Sequence, residues 1–184
     1  MDIFTQGLET ERMYLVPLHE KYLEDYFREF NEEIITYMTP CLAQDIEETR
    51  SWIRNASQKM EQQEKIYLFG IDKINQTFIG NFTLGEIQTY YPEGGIWVKK
   101  DAQWKGLWKE GMSALTERAQ SSLNFEYILY PVDKDNLSSR KVAEFVGGLL
   151  EVDKDWSEIV KREATADPKK FLNVVHYKIY KHDK

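Results

Sequence analysis

The spacing of apolar residues changes several times along the chain, and each change predicts an element. Met13-Tyr14-Leu15-Val16 reads as a strand closed by Pro17, and Tyr22, Leu23, Tyr26, Phe27 and Phe30 then recur at helical spacing. A second helix is predicted from Asp45, where Asp45 and Glu48 resemble a capping box, with Ile46, Trp52, Ile53, Ala56 and Met60 on its apolar side. After Gln63 the period shortens. Ile66-Tyr67-Leu68-Phe69-Gly70-Ile71 is a dense apolar run, and Phe78, Gly80, Phe82 and Leu84 alternate with Ile79, Asn81 and Thr83, so two strands should meet at a turn near Asn75-Gln76. Gly95-Ile96-Trp97-Val98 is a shorter strand, and Trp108, Met112, Leu115 and Ala119 form a helical stripe. Tyr127 to Val132 reads as a strand, Leu137 to Val146 as a helix stopped by Gly147-Gly148, and Leu172 to Tyr180 as the last strand before a charged tail that should fray.

This order predicts a mixed α/β sheet of six or seven strands with helices on both faces. No repeat, low-complexity tract or Pro/Gly/Ser linker interrupts it, so residues 1–184 read as one domain. Hydrophobic residues make up 42% and aromatics 14%, enough to build a core and to argue against disorder.

Charge and cysteine content narrow the chemistry. The 24 Lys and Arg against 31 Asp and Glu give a net charge of −7, which argues against non-specific nucleic-acid binding. Cys41 is the one cysteine, so there is no internal disulfide, and His19, His176 and His182 lie too far apart for metal-ligand spacing. Met1 to Gly7 lacks the basic and apolar regions of a signal peptide, and no apolar run is long enough to span a membrane. The expectation is a cytoplasmic protein without a structural metal and without a membrane or nucleic-acid partner.

Trp97 to Lys109 runs against the overall charge, with four lysines and one aspartate where a strand passes into a helix. The first turn of a helix presents unpaired N–H groups and the positive end of its dipole, a ready phosphate site. Gly106 allows close backbone approach there. A solvated lysine-rich loop is the other reading. A Walker loop is excluded, because Gly-x-x-x-x-Gly-Lys-Ser/Thr does not occur.

The stretch resembles the acetyl-CoA signature of the GNAT superfamily of N-acetyltransferases, nearest to the ribosomal-protein N-terminal (RimJ/RimL-like) branch. Trp97-Val98 matches the strand end, Gln103-Trp104-Lys105-Gly106 the loop, and Glu110-Gly111 the early helix. Val132-Asp133-Lys134-Asp135-Asn136-Leu137-Ser138-Ser139 resembles the family's Val-Asp-x-x-Asn-x-x-Ser, Leu8 to Arg12 its opening strand, and Phe78-Ile79-Gly80 a typical third strand. The resemblance implies a GNAT-like fold and acetyl-CoA as cosubstrate. Val98 and Lys99 would offer backbone to the pantetheine arm, Gln103, Trp104, Lys105, Gly106, Leu107 and Trp108 would cradle the pyrophosphate, and Asn136 would contact CoA across the cleft. It is also compatible with a homodimer. Trp104 stands where the branch carries its first glycine, which opens an alternative: a domain that keeps the fold without using acetyl-CoA. Gly148 stands where the branch carries Phe.

Direct acetyl transfer to an amine needs a base for the ammonium proton and an acid for the departing thiolate, and no covalent enzyme intermediate. Cys41 therefore need not be a nucleophile. Glu93, just before the strand Gly95–Val98, matches a glutamate proposed as base in related sequences, though Pro92-Glu93-Gly94-Gly95 also reads as a turn. Glu86 is a second candidate. Ser139 matches a serine that acts at the CoA sulfur, though a first-turn serine can also satisfy backbone N–H groups. Tyr127 and Tyr130 could line the cleft. The negative charge suggests a cationic acceptor, a protein N-terminus or small amine, bordered by Tyr22–Phe30 and Ile34–Met38.

Overall fold

A computed structural model describes residues 6–150, the backbone of 161–164, and residues 170–182. The expected tail at Asp183 and Lys184 lies outside the described residues. Strands β1 (Leu8–Glu9) and β2 (Met13–Pro17) lead to helices α1 (Leu23–Glu29) and α2 (Ile46–Glu61). Then follow β3 (Ile66–Asp72), β4 (Phe78–Gly85), β5 (Glu93–Val98), helix α3 (Leu107–Ser122), β6 (Tyr127–Asp133) and helix α4 (Leu137–Phe145). Strands β7 (Leu149–Leu150), β8 (Lys161–Ala164) and β9 (Phe171–Tyr180) complete the order.

The sheet runs β1-β2-β3-β4-β5-β6-β9-β7, with β8 also on β9. It is the expected mixed α/β sheet, with nine strands among the described residues in place of six or seven. The surplus comes from short edge pieces. β1 and β7 have two residues each, too few to impose a period on the sequence. β7 and β8 share the outer edge of β9, β7 against Tyr177 and Lys178 and β8 against Phe171 to Val174. Every pairing is antiparallel except β5 with β6.

Both faces of the sheet are covered. Met13, Leu15, Leu68, Phe82 and Val175 pack beneath Met112 and Leu115 of α3 and Val142 of α4. On the other face Phe69, Ile71, Phe78 and Trp97 pack beneath Tyr26 of α1 and Ile53, Ala56 and Met60 of α2. Each such fully buried large side chain contributes about 1.5–3 kcal/mol. Asn81, which alternates with apolar residues as an outward strand position would, lies under the second cover and is 4% exposed.

Local signals set the helix ends. Asp45 caps α2, its side chain accepting the Glu47 and Glu48 amides at 2.9 Å. Glu48 reaches back to the Gln44 amide (2.8 Å), one residue before the partner a capping box uses. Gly147, at φ +83°, ends α4, and Gly147 and Gly148 donate to Glu144 O and Ala143 O. Among the described residues no helix is long and apolar enough to cross a membrane, and no cluster of His, Cys, Asp or Glu could hold a metal ion.

Candidate active site

Strands β5 and β6 meet at one point. Glu93 pairs with Leu129, and the Leu129 amide donates to Pro92 O at 2.8 Å. Beyond Glu93 the pair carries no further ladder, while β5 stays bonded to β4 through Val98. The result is a wedge with Glu93 at its apex, opening toward Val98. At its mouth the Lys99 amide donates to Ile79 O (2.8 Å). The alternation of an antiparallel ladder then turns the backbone groups of Ile96 and Val98 away from β4, toward the wedge. The Lys99 carbonyl accepts from Ala102 and Gln103 at 3.0 and 3.2 Å, so both its backbone groups are engaged within the protein. Of the two expected backbone contributors, Val98, together with Ile96, turns into the wedge, and Lys99 is turned to Ile79, Ala102 and Gln103. Val98 O also accepts Gln103 Nε2 at 3.1 Å.

Gln103 to Trp108 curl around the mouth. Trp104 and Gly106 both adopt left-handed backbone, at φ +68° and +73°. A tryptophan thus occupies a conformation that costs a side-chain-bearing residue roughly 1–2 kcal/mol. The residue is 88% exposed, so its bulk points clear of the loop. Gly106 opens α3 with no side-chain cap, which leaves first-turn amides of Leu107 and Trp108 as donors. Leu107 is buried, and Trp108 packs edge-on against Phe145 of α4, centroids 5.5 Å apart.

Arg12 and Glu110 hold this loop, a role the sequence did not announce. Glu110 Oε2 accepts the Arg12 amide (3.0 Å) and the Thr10 hydroxyl (2.9 Å), and its Oε1 pairs with the Arg12 guanidinium. Arg12 Nη1 also donates to Lys105 O at 2.9 Å. Burial works to raise the Glu110 pKa, but the Arg12 amide, the Arg12 guanidinium and Thr10 together hold it below the ordinary carboxylate value. The partners lie 98 residues apart, beyond the reach of any local pattern. Lys100, at the wedge mouth, pairs with Glu33 from the segment after α1.

The catalytic candidates fall on opposite sides of the wedge. A Cβ built on Gly94 would lie 3.3 Å from both Tyr130 Cδ2 and Ile128 Cγ2, so Gly94 faces the α3/α4 side. Glu93, next along the strand, faces the α1/α2 side. Tyr130 is buried, and its hydroxyl lies 3.0 Å from Ser139 Oγ. Burial pushes the Tyr130 phenol up to about 12, with Ser139 acting in the opposite direction. Asn136 Oδ1 caps α4 by accepting the Ser139 amide (3.1 Å), so backbone capping falls to Asn136 and the Ser139 hydroxyl turns to Tyr130. Glu93 opens β5, two residues earlier than the strand read at Gly95, because Gly94 and Gly95 are poor strand formers held by register with Leu84 and Thr83. Glu86 pairs with Lys65 (3.4 Å) at φ +52°, and Tyr127 packs between Tyr91, tilted at 4.7 Å, and Tyr180, edge-on at 5.6 Å.

On the α1/α2 side a cavity of about 550 Å³ adjoins β5 at Gly95, Ile96 and Trp97. Tyr26, Phe30, Trp52 and Tyr67 form walls, and the segment Met38 to Ala43, Cys41 included, forms the rim. Of the expected borders Tyr26, Phe27, Phe30 and Met38 line it. Trp97, read in sequence beside the loop, packs instead among Tyr26, Phe30 and Phe78, centroids 5.1–5.6 Å away.

Known proteins resemble this chain in family and in fold. The family described as acetyltransferase (GNAT) domain matches residues 12–148. Among curated protein sequences none matches. Solved structures do, at low identity. A ribosomal-protein-S5-alanine acetyltransferase from Vibrio fischeri superposes with a TM-score of 0.79 at 14% identity, covering 96% of this chain and 97% of that one. MccE, a microcin C7 self-immunity acetyltransferase in complex with acetyl-CoA and AMP, gives 0.77 at 19% identity over 92% and 93%. A spermidine N-acetyltransferase from Vibrio cholerae, with CoA and spermine, gives 0.76 at 17% identity over 92% and 96%.

Proposed function

Because the chain belongs to the acetyltransferase (GNAT) domain family, we propose that residues 1–184 act as one domain transferring an acetyl group from acetyl-CoA directly to a primary amine. The observation that carries this reading is the wedge whose mouth meets a doubly left-handed loop and an uncapped helix start. The donor set fits a pantetheine-pyrophosphate ligand: strand backbone along the wedge, then convergent amides at a helix N-terminus, where an anion is stabilised. Ile96 and Val98 would hold the arm, Gln103 to Trp108 the pyrophosphate, and Asn136 would donate its amide from across the cleft. Acetyl-CoA supplies an activated acetyl thioester.

This chain's own groups orient and move protons. Glu93, at the apex on the α1/α2 side, takes the proton of the incoming ammonium. Ser139, on the opposite side, gives its hydroxyl proton to the departing sulfur as it takes the remaining ammonium proton of the collapsing adduct, and Tyr130, kept neutral because burial holds its phenol up to about 12, holds the Ser139 hydroxyl in place. Bringing amine and thioester together across one wedge removes the entropic part of the barrier.

The acceptor enters from the aromatic cavity. Solved neighbours include enzymes named for ribosomal proteins and for spermidine, so both a protein N-terminus of the RimJ/RimL type and a small amine are within the proposal. Net charge −7 and the exposed thiol of Cys41 support a reducing, cytoplasmic setting without nucleic-acid partners. The test is Glu93→Gln: kcat falls about a hundredfold with acetyl-CoA affinity unchanged. An unchanged kcat removes Glu93 as the base.

A further inference from the structure

Along β5 the α1/α2 side receives Glu93, Gly95 and Trp97, because Gly94 between them faces Tyr130 and Ile128. Glu93 is the base in the acetyltransferase reading and Trp97 lines the aromatic cavity, so Gly95 is the step that joins the two. Apart from its chain neighbours, a Cβ built on Gly95 would meet one atom within 4 Å, Thr83 Oγ1 at 2.9 Å. The floor between cavity and base is therefore open above Gly95, and one polar group borders the opening.

Thr83 is placed to use that opening. It pairs with Tyr67 on β3 and with Gly95 on β5, and Tyr67 meets Trp52 of α2 edge-on at 5.7 Å, so the Thr83 side chain stands on the cavity side. Its hydroxyl donates to Gly95 O at 3.1 Å. A hydroxyl has one proton and two lone pairs, so this oxygen, its proton engaged, still accepts. Glu93 is the diagonal neighbour of Thr83 across the β4–β5 ladder, a relation of about 7–8 Å that a long side chain spans. A group with two N–H donors set between them bonds both. Among the described residues no lysine, arginine or histidine lines the cavity, and Glu48 is its one carboxylate. An ammonium suits that lining, whereas a phosphate or carboxylate would find no counter-charge.

Resting on the acetyltransferase reading above, we infer that Thr83 and Gly95 form the doorway by which the acceptor amine reaches Glu93. The Thr83 oxygen accepts one N–H of the incoming ammonium while another faces the Glu93 carboxylate. The missing side chain of Gly95 leaves room for the carbon that carries the nitrogen, and the rest of the acceptor stays in the aromatic cavity. A small amine and a polypeptide N-terminus share this chemistry.

The experiment measures acetyl transfer to benzylamine, spermidine and the peptide Gly-Phe-Gly-Gly by the natural chain and by Thr83→Val, Thr83→Ser and Gly95→Ala. For the amine the natural chain acetylates best, Thr83→Val should raise the amine KM about tenfold, the loss of one hydrogen bond to a charged group, and leave the acetyl-CoA KM unmoved. Thr83→Ser, which keeps the hydroxyl, should restore the natural KM. Gly95→Ala fills the opening and crowds the Thr83 hydroxyl, so kcat/KM for the amine should fall at least about tenfold with acetyl-CoA affinity unchanged. Unfolding midpoints check the fold, and where Gly95→Ala loses it, Thr83→Val against Thr83→Ser decides. The peptide ahead of both small amines assigns the source to a polypeptide N-terminus, and the reverse assigns a small molecule. An amine KM that Thr83→Val leaves in place, or that rises equally in Thr83→Ser, overturns the inference while acetyl transfer stands. If no amine is acetylated, the transferase reading falls and calorimetric binding of the same three amines judges the doorway. Binding about tenfold weaker to Thr83→Val than to the natural chain keeps it, and equal or absent binding removes it.

Discussion

The hydroxyls of Tyr130 and Ser139 lie 3.0 Å apart, joining the buried strand β6 to the first turn of α4 on the side of the wedge away from Glu93. The pair makes Tyr130 a positioning residue: it fixes the Ser139 rotamer while its own proton stays in place. Ser139→Ala should lower kcat about a hundredfold and Tyr130→Phe about tenfold, both with the KM for acetyl-CoA unchanged. Steady-state kinetics split into kcat and KM check this. A purely structural role would move stability and leave kcat in place. The Tyr130 phenol is raised to about 12, so no break in the rate profile below pH 10 should belong to it.

Glu110 ties the cofactor loop to the β1–β2 turn through Arg12 and Thr10. Its folded pKa lies below the ordinary value of 4.5, so the stability it contributes is present above 4.5 and is lost as pH falls through the depressed value. Glu110→Gln should therefore be less stable than the parent at pH 7, and the gap should close below pH 4.5. Urea unfolding at a series of pH values measures it. A gap that is constant with pH contradicts the ion pair's role.

Trp104 carries a side chain at φ +68° with its indole in solvent. Trp104→Gly should stabilise the fold by about 1 kcal/mol, the relief of left-handed strain less the entropy glycine brings to the unfolded chain. Acetyl-CoA binding should survive, since the backbone is already in the required shape. Denaturant midpoints and a binding titration test the two halves separately.

Gly111 lets α3 close on the sheet. A Cβ there would stand 2.1 Å from Phe82 Cε1. Gly111→Ala should cost about 1–3 kcal/mol through overpacking. Adding Phe82→Leu should return part of it, and additive losses in that double-mutant cycle would contradict the contact.

Much of this architecture is legible in the residue pattern. The stripe of Met112, Leu115 and Ala119, the run Tyr127 to Val132 and the Gly147 stop each appear where the spacing places them, because one covered face dictates each period. The pattern misleads where both faces are covered. Asn81 alternates like a surface position and is buried, because α1 and α2 lie over it. Trp97 sits beside the loop in sequence, yet the strand's two-residue alternation sends it to the other layer, among Tyr26 and Phe30. The loop itself is legible as chemistry through Gly106 and its lysines. The Arg12–Glu110 clamp and the Cys41 rim are not, since they arise from contacts between distant segments.

The most direct measurement is a calorimetric titration of acetyl-CoA into the natural protein and, beside it, Gly106→Val. Gly106 sits at φ +73°, and a β-branched residue there would force the loop off its cradle shape. The account predicts saturable micromolar binding to the natural chain and binding at least tenfold weaker to the variant. No binding to the natural chain at millimolar acetyl-CoA, or equal binding to both, would contradict it.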